Sequence, residues 1–235
     1  GTDTGPCGCG ADQDCGPSPN PCATLTCGSC TCTSKALPDG VGCGGADTCL
    51  AGKCASGAAP WAVGIAAGSA HTCVIHASGG VSCWGRNSQG QLGKGGPSSP
   101  EDYETKPVVA VGLQSVTALA SRNNHSCALA KDGQVRCWGD NFRGEIGNGS
   151  NTDDVFAPTL ALGLSGVKVI ATGSEFSLAI RDDKSLWGWG HAGYYKLLDP
   201  TLSSANKPKQ IGKSYGVSGL TGLCGGNTFA CGIWP

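Results

Sequence analysis

Sixteen cysteines are the residues of this sequence with the most chemistry to offer. Thiolates can ligate a metal or exchange electrons, and paired thiols can crosslink a chain. Ten of the sixteen fall within the first 54 residues: Cys7, Cys9, Cys15, Cys22, Cys27, Cys30, Cys32, Cys43, Cys49 and Cys54. Cys7-Gly-Cys9 and Cys27-Gly-Ser-Cys30-Thr-Cys32 have the close spacing of metal ligands. Yet the two well-separated C-x2-C pairs of a zinc ribbon are absent, and Thr31 follows Cys30 where covalent haem needs a His. A high and even count reads instead as disulfides formed in an oxidising compartment, outside the cell or on its surface.

The other six cysteines follow a different rule. Cys73 and Cys83 flank a hairpin turn, and Cys127 and Cys137 do so at the same separation. Opposite positions on antiparallel strands come close enough to bond. Further on, Leu178 and Gly188 replace both cysteines at once, which is how a bonded pair is lost. Cys73–Cys83 and Cys127–Cys137 are therefore expected disulfides. Cys231 stands in the register of Cys73 and Cys127. Cys224 is its local candidate partner across Gly225-Gly226-Asn227, and the alternative is a partner outside this chain.

Other chemical candidates are weaker. His71 and His125 invite a metal or acid–base reading, but Phe176 and Phe229 fill the same repeat position, so packing is the expectation. Trp84, Trp138 and Trp189 share one position and read as packing residues rather than a light-sensing cluster. Gly212-Lys-Ser214-Tyr-Gly216 matches the G-x-S-x-G string, which matters only on a strand-to-helix turn of an α/β sheet. No phosphate loop precedes Lys213-Ser214, because Lys207 stands where a Gly is required. No cofactor and no catalytic residue is expected.

Charged residues are 14% of the chain and the net charge is −1, so no basic surface recommends a nucleic-acid partner. No apolar run is long enough for a membrane helix. A chain that starts at Gly1 and holds no Met reads as a processed or truncated product.

Two regions must position these residues. The first 54 residues are rich in Gly, Pro, Ser and Thr with few aliphatics, and need crosslinks to offset chain entropy. Ala55 to Pro60 reads as the linker out of that module. From residue 61 the chain repeats. Gly68-Ser-Ala-His-Thr-Cys73 aligns with Arg122-Asn-Asn-His-Ser-Cys127, Gly173-Ser-Glu-Phe-Ser-Leu178 and Gly226-Asn-Thr-Phe-Ala-Cys231. Pro107, Pro158 and Pro208 recur in phase. Short strands broken by turns such as Asp132-Gly133, four to a repeat, are the sequence form of a propeller blade. The units run at about 61–113, 114–165 and 166–217, with a partial one over 218–235. The expected fold is all-β.

Val81-Ser-Cys-Trp-Gly85-Arg-Asn87 with Gly90-Gln-Leu-Gly93, and Val135-Arg-Cys-Trp-Gly139-Asp-Asn141 with Gly144-Glu-Ile-Gly147, resemble the regulator of chromosome condensation repeat. The resemblance covers residues from about 61 to 235 and implies a β-propeller, seven-bladed in the family. It also implies a binding scaffold, a role the family fills as nuclear exchange factor, plant light receptor or secreted bacterial inhibitor. The chain resembles a bacterial-type secreted member with a cysteine-rich head, and residues 37–54 resemble the small cysteine-rich modules of surface proteins. The third unit departs from the pattern: Ala192, Tyr195 and Leu198 replace an Asn and two Gly.

A run of three and a fraction blades leaves sides uncovered, and uncovered sheet edges are templates for association. The expectation is a secreted or surface structural protein acting by protein contact, associating with further copies of itself as an oligomer or filament. In that reading the last half-blade is completed in trans. The alternatives are a piece of a larger closed-propeller receptor or inhibitor, and an extracellular enzyme whose site lies in blades beyond these residues.

Overall fold

The computed structural model describes residues 62–96, 99 and 101–235, together with the backbone of four short strands before them. The chain forms two compact units, Gly1–Trp61 and Ala62–Pro235. In the first, β1 (Ala23–Gly28) pairs antiparallel with β2 (Thr31–Ala36), and β3 (Cys49–Leu50) with β4 (Lys53–Cys54). Cys27 is set opposite Cys32 and Cys49 opposite Cys54. The pairing of the ten head cysteines and the linker at 55–60 lie outside the described residues.

The second unit is built from antiparallel meanders. Blade 1 holds β5 (Ala62–Ala67), β6 (His71–His76), β7 (Val81–Arg86) and β8 (Tyr103–Val109) in that order. Blade 2 holds β9 (Val116–Arg122), β10 (His125–Ala130), β11 (Val135–Gly139) and β12 (Val155–Leu160). Blade 3 holds β13 (Val167–Thr172), β14 (Phe176–Arg181), β15 (Leu186–His191) and β16 (Ser204–Gln210). A half-blade follows, β17 (Gly222–Gly225) with β18 (Ala230–Ile233). The first strands pack side by side in chain order: β5 on β9, β9 on β13, β13 on β17.

Tight turns make the meanders. At Lys131-Asp132-Gly133 the amide of Gly133 donates to the Ala130 carbonyl at 2.9 Å, and Gly133 takes φ +80°. A side-chain-free residue meets that left-handed angle without strain. Asp132 Oδ1 accepts from the Gln134 amide at 3.0 Å, a local bond that favours the turn.

The apolar core lies between blades rather than inside any of them. Ile75, Val81 and Leu92 of blade 1 cluster with Val116, Ala128 and Trp138 of blade 2. Leu129, Val135 and Ile146 of blade 2 cluster with Leu178, Ile180 and Trp189 of blade 3. A single four-stranded sheet cannot bury its two faces, so each blade here depends on its neighbour.

Disulfides clamp the blades from within. Cys73 is bonded to Cys83 and Cys127 to Cys137, each joining the second strand to the third across directly opposed positions 4.1 Å apart at Cα. The Cys224–Cys231 bond differs, joining the first strand of its blade to the second. In blade 3, Leu178 faces Gly188 at the equivalent pair and the sheet forms without a bond.

The Cys127→Ala/Cys137→Ala variant is expected to keep the fold and lose about 2–3 kcal/mol, as for any short crosslinked loop. A lowered urea midpoint with an unchanged native circular dichroism spectrum would show this. An unfolded variant would mean that the staple is required for the blade itself.

Candidate protein-interaction surfaces

The side chains that recur in each blade meet across the joins between blades. His71 Nε2 lies 2.8 Å from Ser126 Oγ of the next blade, and His125 Nε2 lies 3.1 Å from Ser177 Oγ. Ser177 donates its hydroxyl proton to the Glu145 carbonyl at 3.0 Å, so His125 donates to Ser177. Both rings are buried. Burial pushes His71 down to about 4. His125 falls to about 3, from burial first and the charge of His71 second. These imidazoles are neutral connectors, held away from solvent and from any substrate. In blade 3 the position is Phe176, and in the half-blade the residue in the register of Ser126 and Ser177 is Ala230. The loss of the ring nitrogen and of the facing hydroxyl go together.

The tryptophans make the second contact. Trp138 Nε1 donates to the Gln91 carbonyl at 2.8 Å and Trp189 Nε1 to the Glu145 carbonyl at 2.6 Å, each reaching back to the loop of the preceding blade. That loop must come very close. A Cβ on Gly93 would sit 3.0 Å from the Trp138 ring, and one on Gly147 would sit 3.0 Å from the Trp189 ring.

The residue between the loop glycines is polar and buried in all three blades: Gln91, Glu145 and Lys196. Gln91 Oε1 accepts from the Gln89 amide and Glu145 Oε2 from the Arg143 amide, both at 2.8 Å. Burial, with the nearby Asp140 and Glu175 charges adding to it and local backbone bonds opposing, raises Glu145 to about 8. Glu145 is therefore protonated at neutral pH, an acid in the place of an amide. Lys196 breaks the pattern, with Nζ 2.9 Å from His191 Nδ1 and 3.6 Å from Glu175 Oε2. Burial opposes ionisation of Glu175, but the bond to His191 and the charges of His191 and Lys196 hold it below the usual carboxylate range.

Two surfaces lack the cover that the inner joins have. On blade 1, Val63 and Ile65 are 66% and 70% exposed and Trp84 is half-buried, whereas Leu119 and Trp138, the blade 2 counterparts of Ile65 and Trp84, pack into the core. Beside the half-blade, a groove of about 380 Å³ runs between Leu178, Leu186 and Ile211 of blade 3 and Leu223, Phe229 and Trp234 beyond it. Among the described residues, no group of three or more His, Cys, Asp or Glu could hold a metal. Among the described residues, no helix is long and apolar enough to cross a membrane. Gly212-Lys-Ser214-Tyr-Gly216 forms a single 3-10 turn between β16 and β17, a turn its composition did not suggest, with no α/β sheet to carry a nucleophile elbow.

Sequence reasoning assigned the recurring His and Trp to packing but missed their partners across the joins. The signal that could have found the serines was the paired change of His to Phe and Ser to Ala along the repeats.

Four-stranded meanders joined by aromatic contacts between neighbours define a propeller-blade repeat protein. The chain belongs to the regulator of chromosome condensation (RCC1) repeat family. Two forms of that repeat match, one over residues 62–91 and 116–145, the other over 78–129 and 132–180. It is 33% identical over 130 residues to the Protein RCC2 homolog of Danio rerio, covering 55% of this chain and 26% of that protein. It is 31% identical over 138 residues to the Ultraviolet-B receptor UVR8 of Arabidopsis thaliana, covering 57% of this chain and 31% of the receptor. The chain thus spans between a quarter and a third of these relatives. Prp20p of Saccharomyces cerevisiae, whose structure was described with its binding to Gsp1p and histones, shares the fold. That likeness has a TM-score of 0.65 at 21% identity, over 74% of this chain and 44% of that one.

Ser177→Ala is expected to destabilise by about 1–3 kcal/mol, because it strands a buried imidazole donor. The His125→Phe/Ser177→Ala double variant restores the pairing blade 3 already uses and should recover most of that loss in urea unfolding. A double variant as unstable as the sum of the singles would refute the pairing.

The pH dependence has two limbs. His71 and His125 stay neutral in the fold while the unfolded chain takes up protons near 6.5, so their contribution is whole above that pH and lost as pH falls toward 4 and 3. Glu145 holds a proton that the unfolded chain releases near 4.5, so stability drains away as pH rises from there to about 8. Glu145→Gln should therefore raise the urea midpoint at pH 8 and leave it unchanged at pH 4.

Proposed function

We propose that this is a non-enzymatic, secreted or cell-surface binding protein that acts through protein contacts and associates with further copies of itself. Its first 54 residues serve as a disulfide-stapled module, joined by residues 55–60 to the propeller blades. The repeat fold supports the contact role, since it is the fold of Prp20p, described by what it binds. Three blade disulfides within one chain support an oxidising compartment.

The observation that carries self-association is the open side of blade 1. Ile65 and the half-buried Trp84 stand at the positions of Leu119 and Trp138, which blade 2 packs against its neighbour, and Val63 is exposed beside them. Exposed apolar side chains on a first strand, grouped with an indole, favour association over solvation. Copies that meet side to side here close as a dimer, and copies that set this side against a different surface of the next form a ring or, where the rotation does not close, a filament.

Ile65→Asp is expected to shift the chain to monomer in sedimentation equilibrium at micromolar concentration, with the urea midpoint unchanged because Ile65 is exposed. A wild-type chain that is already monomeric under those conditions would refute self-association. Free thiols at Cys73, Cys83, Cys127 or Cys137 in protein from its natural source would refute the extracellular assignment.

A further inference from the structure

Each full blade carries two side chains near the turn between its second and third strands, at positions that recur along the repeats. They are His76 and Ser82 in blade 1, Ala130 and Arg136 in blade 2, and Arg181 and Trp187 in blade 3. Alternation along β10 and β11 puts Ala130 and Arg136 on the same face as Ala128 and Trp138, which pack against blade 1.

In two of the three blades this pair is closed on itself. His76 Nε2 lies 2.8 Å from Ser82 Oγ. The Arg181 guanidinium lies 5.5 Å from the centroid of the Trp187 ring, a cation on an aromatic face. Arg181 Nε also donates to the Ser165 carbonyl at 2.8 Å, and Nη1 is 3.6 Å from Asp183 Oδ2. One arginine thus reaches from its own strand to the connection that enters the blade, where a carbonyl and a carboxylate hold it.

Blade 2 keeps those acceptors and lacks the donor. Gln114 stands in the place of Ser165 and Asp132 in that of Asp183, but Ala130 replaces Arg181 and Arg136 replaces the indole. Among the described residues the Arg136 guanidinium has no hydrogen-bonding or ionic partner. Asp132 spends Oδ1 on the Gln134 amide at 3.0 Å and joins no ion pair. Between these groups lies a cavity of about 180 Å³, lined on its apolar side by Leu113, Val116, Ala128 and Ala130. Its lining falls entirely within residues 112–136, so blade 2 and the connection leading into it suffice to form it.

The charges on the cavity narrow what it can hold. A cationic side chain would find the acceptors that hold Arg181 in blade 3, but would meet the charge of Arg136 where Arg181 has an indole. A lone carboxylate would find Arg136 and meet the charge of Asp132. A molecule carrying both charges satisfies both groups. The volume is below the roughly 300–1,000 Å³ of pockets that enclose larger ligands, which limits the occupant to a few heavy atoms.

We propose that this cavity binds a free α-amino acid with a small apolar side chain. The ammonium takes the place of the Arg181 guanidinium, donating to the Gln114 carbonyl and to Asp132. The carboxylate accepts from Arg136, and the side chain lies on Leu113, Val116, Ala128 and Ala130. Charge-assisted bonds at both ends are of the strong kind. The site is separate from the open side of blade 1 and does not depend on association of the chain.

The test titrates the whole chain, by isothermal calorimetry, with L-valine, with isobutylamine and with isovalerate. The amine lacks the carboxylate of valine and the acid lacks its ammonium. L-Valine should bind about tenfold or more tightly than either analogue, the scale of one charge-assisted contact. Arg136→Met should erase the advantage over isobutylamine, and Asp132→Asn, which can keep the turn, the advantage over isovalerate. The Ala130→Arg/Arg136→Trp double variant fills the cavity as blade 3 does, and should keep the native circular dichroism spectrum while binding no valine. Ile65→Asp should leave the affinity for valine unchanged, which separates failure here from failure of self-association. No saturable binding of valine at tens of millimolar, or binding that survives Arg136→Met undiminished, would overturn the proposal. Isobutylamine binding as tightly as valine would overturn it in favour of a cationic side chain of a protein partner.

Discussion

The indole N–H of one blade reaching a loop carbonyl of the blade before it, 2.8 Å for Trp138 and 2.6 Å for Trp189, sets the spacing of the array. The bond is short because the loop beside it carries glycine, and the close approach lets apolar side chains from two sheets share one core. Stability is therefore a property of joins. The same rule explains why, among the described residues, packing is unmet on the uncovered side of blade 1 and in the groove beside the half-blade.

Much of the architecture was legible in the sequence, because it rests on residues that cannot be exchanged silently. The paired cysteines gave both strand registers in blades 1 and 2, and the in-phase prolines fell within the fourth strands β8, β12 and β16. The His-to-Phe exchange argued for packing, and His71, His125 and Phe176 are buried, whereas Phe229 in the half-blade is exposed. What could not be read were contacts between residues about fifty positions apart. His125 and Ser177, or Trp189 and the Glu145 carbonyl, are joined only once two blades are stacked. The buried protonated Glu145 was hidden for a related reason: a carboxylate in a loop reads as solvated until its surroundings are known.

The drift of the third repeat looked like simple decay when read along the chain. In space its changes fall on one rim: Tyr195 replaces a Gly that the next blade's fourth strand approaches, and Leu198 one that an indole packs on. Ala192 belongs to the same loop. Asn87 and Asn141 accept the amides of Leu92 and Ile146 at 3.0 and 3.1 Å, a bond Ala192 cannot make. The loop keeps left-handed residues at Tyr195 and Leu198 without the asparagine and without the glycines, and adds one at Tyr194.

The placement of the disulfides has a mechanical side. In blades 1 and 2 a pull on the two ends of the chain passes through the sulfur bridge and skips the hairpin between the bonded residues, a separation of 10 in each case. Roughly 35 Å of contour per blade is thereby withheld from extension, at about 3.5 Å per residue. Blade 3, with Leu178 and Gly188 in place of the bridge, withholds nothing. Stretched in an oxidising medium, the three full blades are two clamped coils and one free one, the half-blade carries a shorter clamp between Cys224 and Cys231, and reduction would free all three clamps.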